Sequence, residues 1–358
     1  MKNKKRVLVG MSGGIDSSVT AALLQKRGYD VIGITMQLVP KETEKQSACC
    51  NIGAINDAKR VASKLNIPHY TINIRDDFKH YVIDNFVNEY LLGHTPNPCV
   101  ECNRYIKFDA LEQKCKELNA DFIATGHYCK ITSNATKSRF FLKKAKDEKK
   151  DQSYFLYMLS QEQLKRTLFP LGHYLKSEIR DMAHSLNLIN ANKKESQDIC
   201  FVTKGNYQSF IETMIDKQTV KPGNIMDTDG KILGKHTGIY HYTIGQRKGL
   251  NISHNEPLYV IKLNAKENNV IVGTKDELAT NIFSIHTYSI VNPDQINTNK
   301  VYSVKVRYQM VPFQCKLLHI NKKEIMLKAT TPLQFITPGQ SCVIYNNDTV
   351  IGGGIITK

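Results

Sequence analysis

The chain has 358 residues, enough for two or three domains, and its 41% hydrophobic and 23% charged residues exclude a mainly disordered or collagen-like protein. Lysines and arginines number 49 against 33 acidic residues, a net charge of +16 that suits a polyanion such as tRNA, DNA or anionic lipid, although a lysine-rich composition alone would also produce it. No apolar run approaches the roughly 20 residues of a membrane span, and after the basic start only Val7-Leu8-Val9 is apolar, too short for a secretory leader, so a cytoplasmic location without membrane contact is expected.

Residues 5–9 (KRVLV) read as a short buried strand entering the turn GMSGG. Residues 17–26 carry Val19, Ala22 and Leu23 at helical spacing, with Gly28 as a stop. A second strand is expected at 30–36, a helix at 54–66, a third strand at 69–74, a helix at 108–118 and a strand at 121–125. This alternation predicts an α/β fold, a doubly wound parallel sheet. Ligands of such sheets bind beyond the carboxyl ends of the strands, where Ser12, Thr35-Met36 and Gly126-His127 should lie. The run KKAKDEKKDQ at 143–152 reads as a solvated loop, and DMAHSLNL as a helix near the end of the first domain. Near residue 205 the texture changes, and from 219 on the chain reads as short β-runs broken by turns. The expected domains are 1–205, a small β-rich domain over 206–277 and a C-terminal β-barrel over 278–358.

Ser12-Gly13-Gly14-Ile15-Asp16-Ser17-Ser18 joins the first strand to the first helix. Glycines let a ligand approach the backbone, helix-start N–H groups attract phosphate, and Ser12, Ser17 and Ser18 add hydroxyl donors. Asp16 is out of place beside a polyphosphate unless Mg²⁺ or a structural turn uses it. The loop lacks the GKS/GKT of a Walker A motif and the GxGxxG pattern. It resembles the PP-loop of the ATP pyrophosphatases, which adenylate a substrate oxygen and release pyrophosphate; the alternative is a strand–helix turn that binds no anion.

The nine cysteines of a chain expected in the cytosol do not suggest a structural disulfide framework. Cys99 and Cys102 stand in GHTPNPCVECN, where Pro96 and Pro98 fix the backbone and argue against helix or central strand. His94, Arg104 and Lys107 are close enough in sequence to lower a thiol pKa. The CxxC could be half a zinc site, a dithiol redox site, or hold a nucleophile whose partner lies elsewhere; no second CxxC or HxxxH supports zinc. Cys200, in ESQDICF, is the candidate partner, although alone it reads as a small buried residue.

SGGIDS, GHTPNPCVECN, ATGHY, KDQSYFL and ESQDICF occur in this order, followed by Gly245-Gln246-Arg247-Lys248-Gly249-Leu250 and Val306-Arg307-Tyr308. The combination resembles the tRNA-specific 2-thiouridylases along essentially the whole chain. The resemblance implies ATP-dependent adenylation of the C2 oxygen of the wobble uridine, at position 34 of tRNA. Attack by a persulfide sulfur then yields 2-thiouridine, AMP and pyrophosphate. It implies an ATP cradle of Gly10, Met11, Ser12, Gly13, Gly14, Ile15, Asp16 and Ser17, with Met36 and Gly126 at the adenine nucleotide. Cys102 would be the nucleophile and Cys200 the persulfide carrier, and a disulfide between them would close as sulfur is released. Asn97, Pro98 and Cys99 would sit at the target base, and Lys150, Asp151, Gln152, Arg307 and Tyr308 would touch tRNA. The implied partners are tRNAs with Lys, Glu and Gln anticodons and a sulfur donor, either a relay protein or a cysteine desulfurase. Cys99 departs from the pattern: many relatives have Asp there, proposed to assist proton transfer. Cys99 either replaces that acid or supplies a third thiolate, and with Cys102 and Cys200 it could hold an iron–sulfur cluster with one open iron site. Tyr154 and Phe155, beside the basic run, could stack on bases or pack inward.

Overall fold

The computed structural model describes residues 4–39, 52–193, 199–202, 206–216, 220–334 and 336–357. Cys49, Cys50 and the first four residues of ESQDICF lie outside this set.

The chain forms two compact units. The first comprises the chain up to Val82, Cys99–Gly205 and Asp348–Val350. Its elements begin with β1 (Arg6–Gly10), α1 (Ile15–Lys26), β2 (Asp30–Gln37), α2 (Ile52–Lys64), β3 (His69–Asn73) and α3 (Arg75–Phe78). After α4 (Asn85–Leu91), which belongs to the second unit, come α5 (Pro98–Glu101), α6 (Phe108–Glu117) and β4 (Phe122–Ala124). A hairpin of β5 (Lys130–Ser133) and β6 (Phe140–Lys143) is followed by α7 (Gln161–Arg166), β7 (Thr167–Leu168) and α8 (Lys176–Ser185).

The five-stranded sheet has the order β3-β2-β1-β4-β7 and every pair is parallel. The order reverses direction between β1 and β4, so the loops leaving these strands flank a crevice, the usual ligand site of such sheets. Val7, Leu8 and Val9 of β1 are fully buried because both sheet faces carry helices. α2 buries one stripe, Ala54, Ile55, Ala58, Val61 and Ala62, and Gly28 ends α1 at φ +87°. The doubly wound expectation holds.

One expectation about the cysteine loop is corrected. Pro98 does not exclude a helix; it opens α5, where its missing N–H costs no hydrogen bond. A π-helical stretch, Cys102–Lys107, continues into α6, so the helix expected at 108–118 extends back to the cysteine pair.

The second unit comprises Ile83–Pro98, Asn206–Asn347 and the chain from Ile351. After α9 (Tyr207–Met214), it contains β8 (Gly223–Met226), β9 (Ile232–His236), β10 (Tyr259–Asn264) and β11 (Asn269–Gly273). These four form a sheet in the order β10-β11-β8-β9 over Ile225, Val260, Val270 and Val272. Then follow β12 (Thr280–Ile290), β13 (Val301–Lys305), β14 (Phe313–Ile320), β15 (Glu324–Leu333), β16 (Ser341–Asn346) and β17 (Thr349–Ile356). They run in the order β12-β15-β14-β13-β16-β17, and β12 also pairs with β17, closing an antiparallel barrel around Tyr302, Leu317, Leu327 and Ile344.

Leu8 is fully buried in β1, between β2 and β4. Leu8→Ala is expected to lower unfolding stability by about 2–5 kcal/mol, read as a shifted urea midpoint of the first unit's transition.

Candidate active site

The loop between β1 and α1 is shaped by side chains that take up its carbonyls. Thr35 Oγ1 donates to Met11 O at 2.8 Å. Asn190 Nδ2 donates to Gly13 O at 3.1 Å, and Lys193 Nζ approaches the same oxygen at 3.3 Å. Ser17 Oγ and Ser18 Oγ both donate to Gly14 O, at 3.1 and 2.9 Å. With the carbonyls so engaged, the first-turn N–H groups of α1, which have no intrahelical partners, form the outward electropositive face. Gly14 caps the helix without a side-chain bond. Gly13 stands at φ +70°, where an added Cβ would lie 2.2 Å from Ala54 O. A larger residue would displace the loop.

This changes the role of two serines. Ser17 and Ser18 are buried and their hydroxyls turn inward, whereas Ser12 is exposed. Asp16 is answered as well: its carboxylate accepts Lys176 Nζ at 2.6 and 2.8 Å and the Tyr128 hydroxyl at 2.7 Å. Neither Lys176 nor Asn190 was found from sequence; they lie 160 and 177 residues from their partners in the loop.

The loop after β4 closes the other side of the crevice. A Cβ on Gly126 would lie 2.9 Å from Ser17 N, so ATGHY packs directly on the start of α1. Met36, near the carboxyl end of β2, is half-buried. His69 Nε2 is 2.8 Å from Thr35 Oγ1, whose own proton goes to Met11 O, so His69 is the donor. Burial, then Lys59, lower the His69 pKa. His127 lies 2.7 Å from Thr125 Oγ1 and packs between Phe108 and Phe169; desolvation, then Lys107, push its pKa down to about 3.

KDQSYFL is a clasp. Asp151 is 5% exposed and its carboxylate accepts Ala145 N–H, Ser153 N–H and the Ser153 hydroxyl. Gln152 Oε1 accepts Tyr128 N–H, and Gln152 N–H donates to Tyr128 O. Asn103 Nδ2, one residue beyond Cys102, donates to Phe155 O at 3.1 Å. Gln152 thus ties this segment to the ATGHY loop and Asn103 ties it to the cysteine helix, while Asp151 is held by its own segment; Lys150 is half-buried. Tyr154 is fully buried and Phe155 packs edge-on against it at 5.4 Å.

Cys99 is exposed on α5, Cys102 is buried at the start of the π-helical stretch and Cys200 is half-buried beside Phe201, whose ring meets Phe78 edge-on. Among the described residues no three His, Cys, Asp or Glu side chains gather to hold a metal ion, so Cys99, Cys102 and Cys200 do not form a ligand set. Sequence reasoning also missed an aromatic group beside Cys102: Tyr105 stacks on exposed Tyr81 at 5.1 Å, with the Arg104 guanidinium 4.6 Å from the Tyr105 ring.

In the second unit, Thr95 N–H donates to Pro338 O at 2.8 Å, and Gln340 Nε2 donates to Thr95 O at 2.8 Å. Arg307 Nη2 donates to Thr337 Oγ1 at 2.9 Å. The barrel turn 337–340 therefore holds both the Arg307-Tyr308 stretch and the loop leading to Asn97 and Pro98.

A phosphate-type loop at the reversal point of a parallel sheet defines a nucleotide-binding α/β domain of the PP-loop class. Family models agree with that class and extend along the chain: a tRNA methyl transferase HUP domain matches residues 5–204, a tRNA methyl transferase PRC-barrel domain 208–274 and an aminomethyltransferase beta-barrel domain 280–356. The tRNA-specific 2-thiouridylase MnmA of Acetivibrio thermocellus is 44% identical over 358 residues, covering 99% of each chain. That of Lachnoclostridium phytofermentans is also 44% identical, covering 99% of this chain and 100% of its own. MnmA 1 of a Thermoanaerobacter species is 45% identical over 362 residues. The chain belongs to the tRNA-specific 2-thiouridylase family.

The half-buried, desolvated His127 makes a pH-dependent contribution. Its folded pKa of about 3 lies below the ordinary 6.5, so the unfolded chain binds the proton first. The stability is complete above about pH 6.5 and is lost as pH falls toward the folded value. His127→Gln should remove part of this loss, flattening the unfolding free energy between pH 7 and 4 by at most about 1.4 kcal/mol per pH unit.

Proposed function

We propose that the protein carries out ATP-dependent 2-thiolation of the wobble uridine, position 34, of tRNA. What carries this reading is the match to 2-thiouridylases across 99% of the chain, which includes the phosphate loop and both cysteine segments. The methyl-transfer labels of the family models fit the residues less well, because methyl transfer needs neither an ATP-type loop nor paired cysteines.

In this reading ATP lies on residues Gly10 to Ser17, with Met36 and Gly126 beside the nucleotide. Mg²⁺ arrives on the triphosphate, since Asp16 is engaged by Lys176. The uridine C2 oxygen attacks the α-phosphorus and pyrophosphate leaves. The terminal sulfur of a Cys200 persulfide then becomes bonded to C2, and the C2–O bond breaks to release AMP. Cys102 attacks the inner sulfur of the persulfide, so its S–S bond breaks as a Cys102–Cys200 disulfide forms. A thiol reductant resets the pair, and a relay protein or cysteine desulfurase reloads Cys200. Asn97, Pro98 and Cys99 sit at the base, with exposed Cys99 in place of the Asp of many relatives. Residues 1–205 supply the ATP chemistry; 206–277 and 278–358 grip tRNA. Lys150, Arg307 and Tyr308 contact the RNA, and a flipped, unstacked anticodon base reaches the site.

Incubation with ATP, Mg²⁺, a persulfide donor and tRNA should yield 2-thiouridine, detected by nucleoside mass spectrometry. Cys102→Ser and Cys200→Ser should each abolish the product, and Cys200→Ser should retain adenylation. Full thiolation by Cys200→Ser would refute the assigned role. Phosphate contacts by a chain of charge +16 also predict that tRNA affinity falls steeply and log-linearly with salt; a flat dependence in a filter-binding titration would argue against electrostatic gripping.

A further inference from the structure

Lys176 is the first residue of α8 and is 7% exposed. Its ammonium is disfavoured twice, by desolvation and by the positive end of the helix dipole. Two features compensate: the Asp16 carboxylate, with both oxygens within 2.8 Å of Nζ, and the Tyr128 ring, whose centroid is 5.6 Å away. Asp16 has the converse problem. It stands in the first turn of α1, within the loop proposed to receive a triphosphate, and an uncompensated carboxylate there would repel the ligand. The Tyr128 hydroxyl also donates to Asp16 Oδ1, so the carboxylate is fixed from two sides.

Resting on the proposed use of ATP, we propose that Lys176 is a positioning residue of the phosphate loop: by pairing with Asp16 it cancels the one negative charge in SGGIDS and pins the first turn of α1, so that the loop N–H groups meet the triphosphate in a locally neutral setting. Lys176 acts through Asp16 and does not touch the nucleotide. Tyr128 of ATGHY is the third member, linking the loops after β1 and β4.

The test is equilibrium binding of ATP to the full-length protein in EDTA, repeated with Mg²⁺, for wild type, Lys176→Met, Asp16→Asn and the double variant, each checked for folding by circular dichroism. Lys176→Met leaves the carboxylate without a compensating cation and should weaken ATP binding roughly tenfold or more. Asp16→Asn removes the repelling charge and should tighten binding in EDTA several-fold, while lowering Tm because the ammonium loses its partner. The double variant restores local neutrality and should return to within about threefold of wild type, a recovery that a merely structural lysine would not give. Wild-type affinity in Lys176→Met would overturn the proposal. So would a double variant as weak as Lys176→Met, which would mean direct contact with the nucleotide. Weaker binding by Asp16→Asn, whether in EDTA or only with Mg²⁺, would also overturn it, and this arm decides if Lys176→Met does not fold. A wild-type protein that binds no ATP would sink the ATP reading, and this proposal with it.

Discussion

A loop that holds an anion through backbone N–H groups must first dispose of its carbonyl oxygens, because each peptide unit carries both. The first unit meets this constraint with side chains from distant positions. Met11 O is taken by Thr35, Gly13 O by Asn190 and Lys193, and Gly14 O by Ser17 and Ser18. The glycines provide the conformation and the surrounding donors fix its polarity. A bare Gly-Gly turn has the first property without the second, which is why β2 and the segment after α8 are as much part of the loop as its own residues.

The same logic explains what could be read from the sequence. The strand–loop–helix start, the parallel sheet and the crevice beside Ser12, Thr35-Met36 and Gly126 follow from local periodicity and motif placement, and the structure has them there. Lys176 and Asn190 were not legible, because each belongs to an ordinary-looking helix or turn and gains meaning only from a contact across more than 150 residues. The burial of Asp151 was not legible for a related reason. A charged run looks solvated when the donors that bury its carboxylate, Ala145 and Ser153, belong to the same loop. Pro98 was misread locally: its effect depends on whether it falls inside a helix or at its first position.

The cysteine helix shows how a small change of backbone separates two thiols. In a regular helix, residues three apart share a face, yet Cys99 is exposed and Cys102 is buried. The change falls where α5 gives way to the π-helical stretch, whose wider turn redirects the following side chains. Cys102 and Asn103 turn inward, and Asn103 is then tied to Phe155 O. Burial protects a thiol from adventitious oxidants, while the exposed position three residues earlier remains open to solvent and larger ligands. The π-helical stretch thus separates a guarded position from an open one within a single turn.

The second unit applies equal discipline to the other end of the same loop. Pro338 and Gln340 bracket Thr95 through its N–H and its carbonyl, and Gly339 packs so closely that a Cβ would lie 2.8 Å from Thr95 N. Thr337, one residue away, receives Arg307. Arg307 and Thr95 are therefore joined through one short, well-bonded turn. A rigid barrel suits this task, because its closed ladder leaves few soft hydrogen bonds to absorb displacement. Within the second unit the closed barrel thus fixes the backbone at Thr95 and Pro96 through both of their carbonyls.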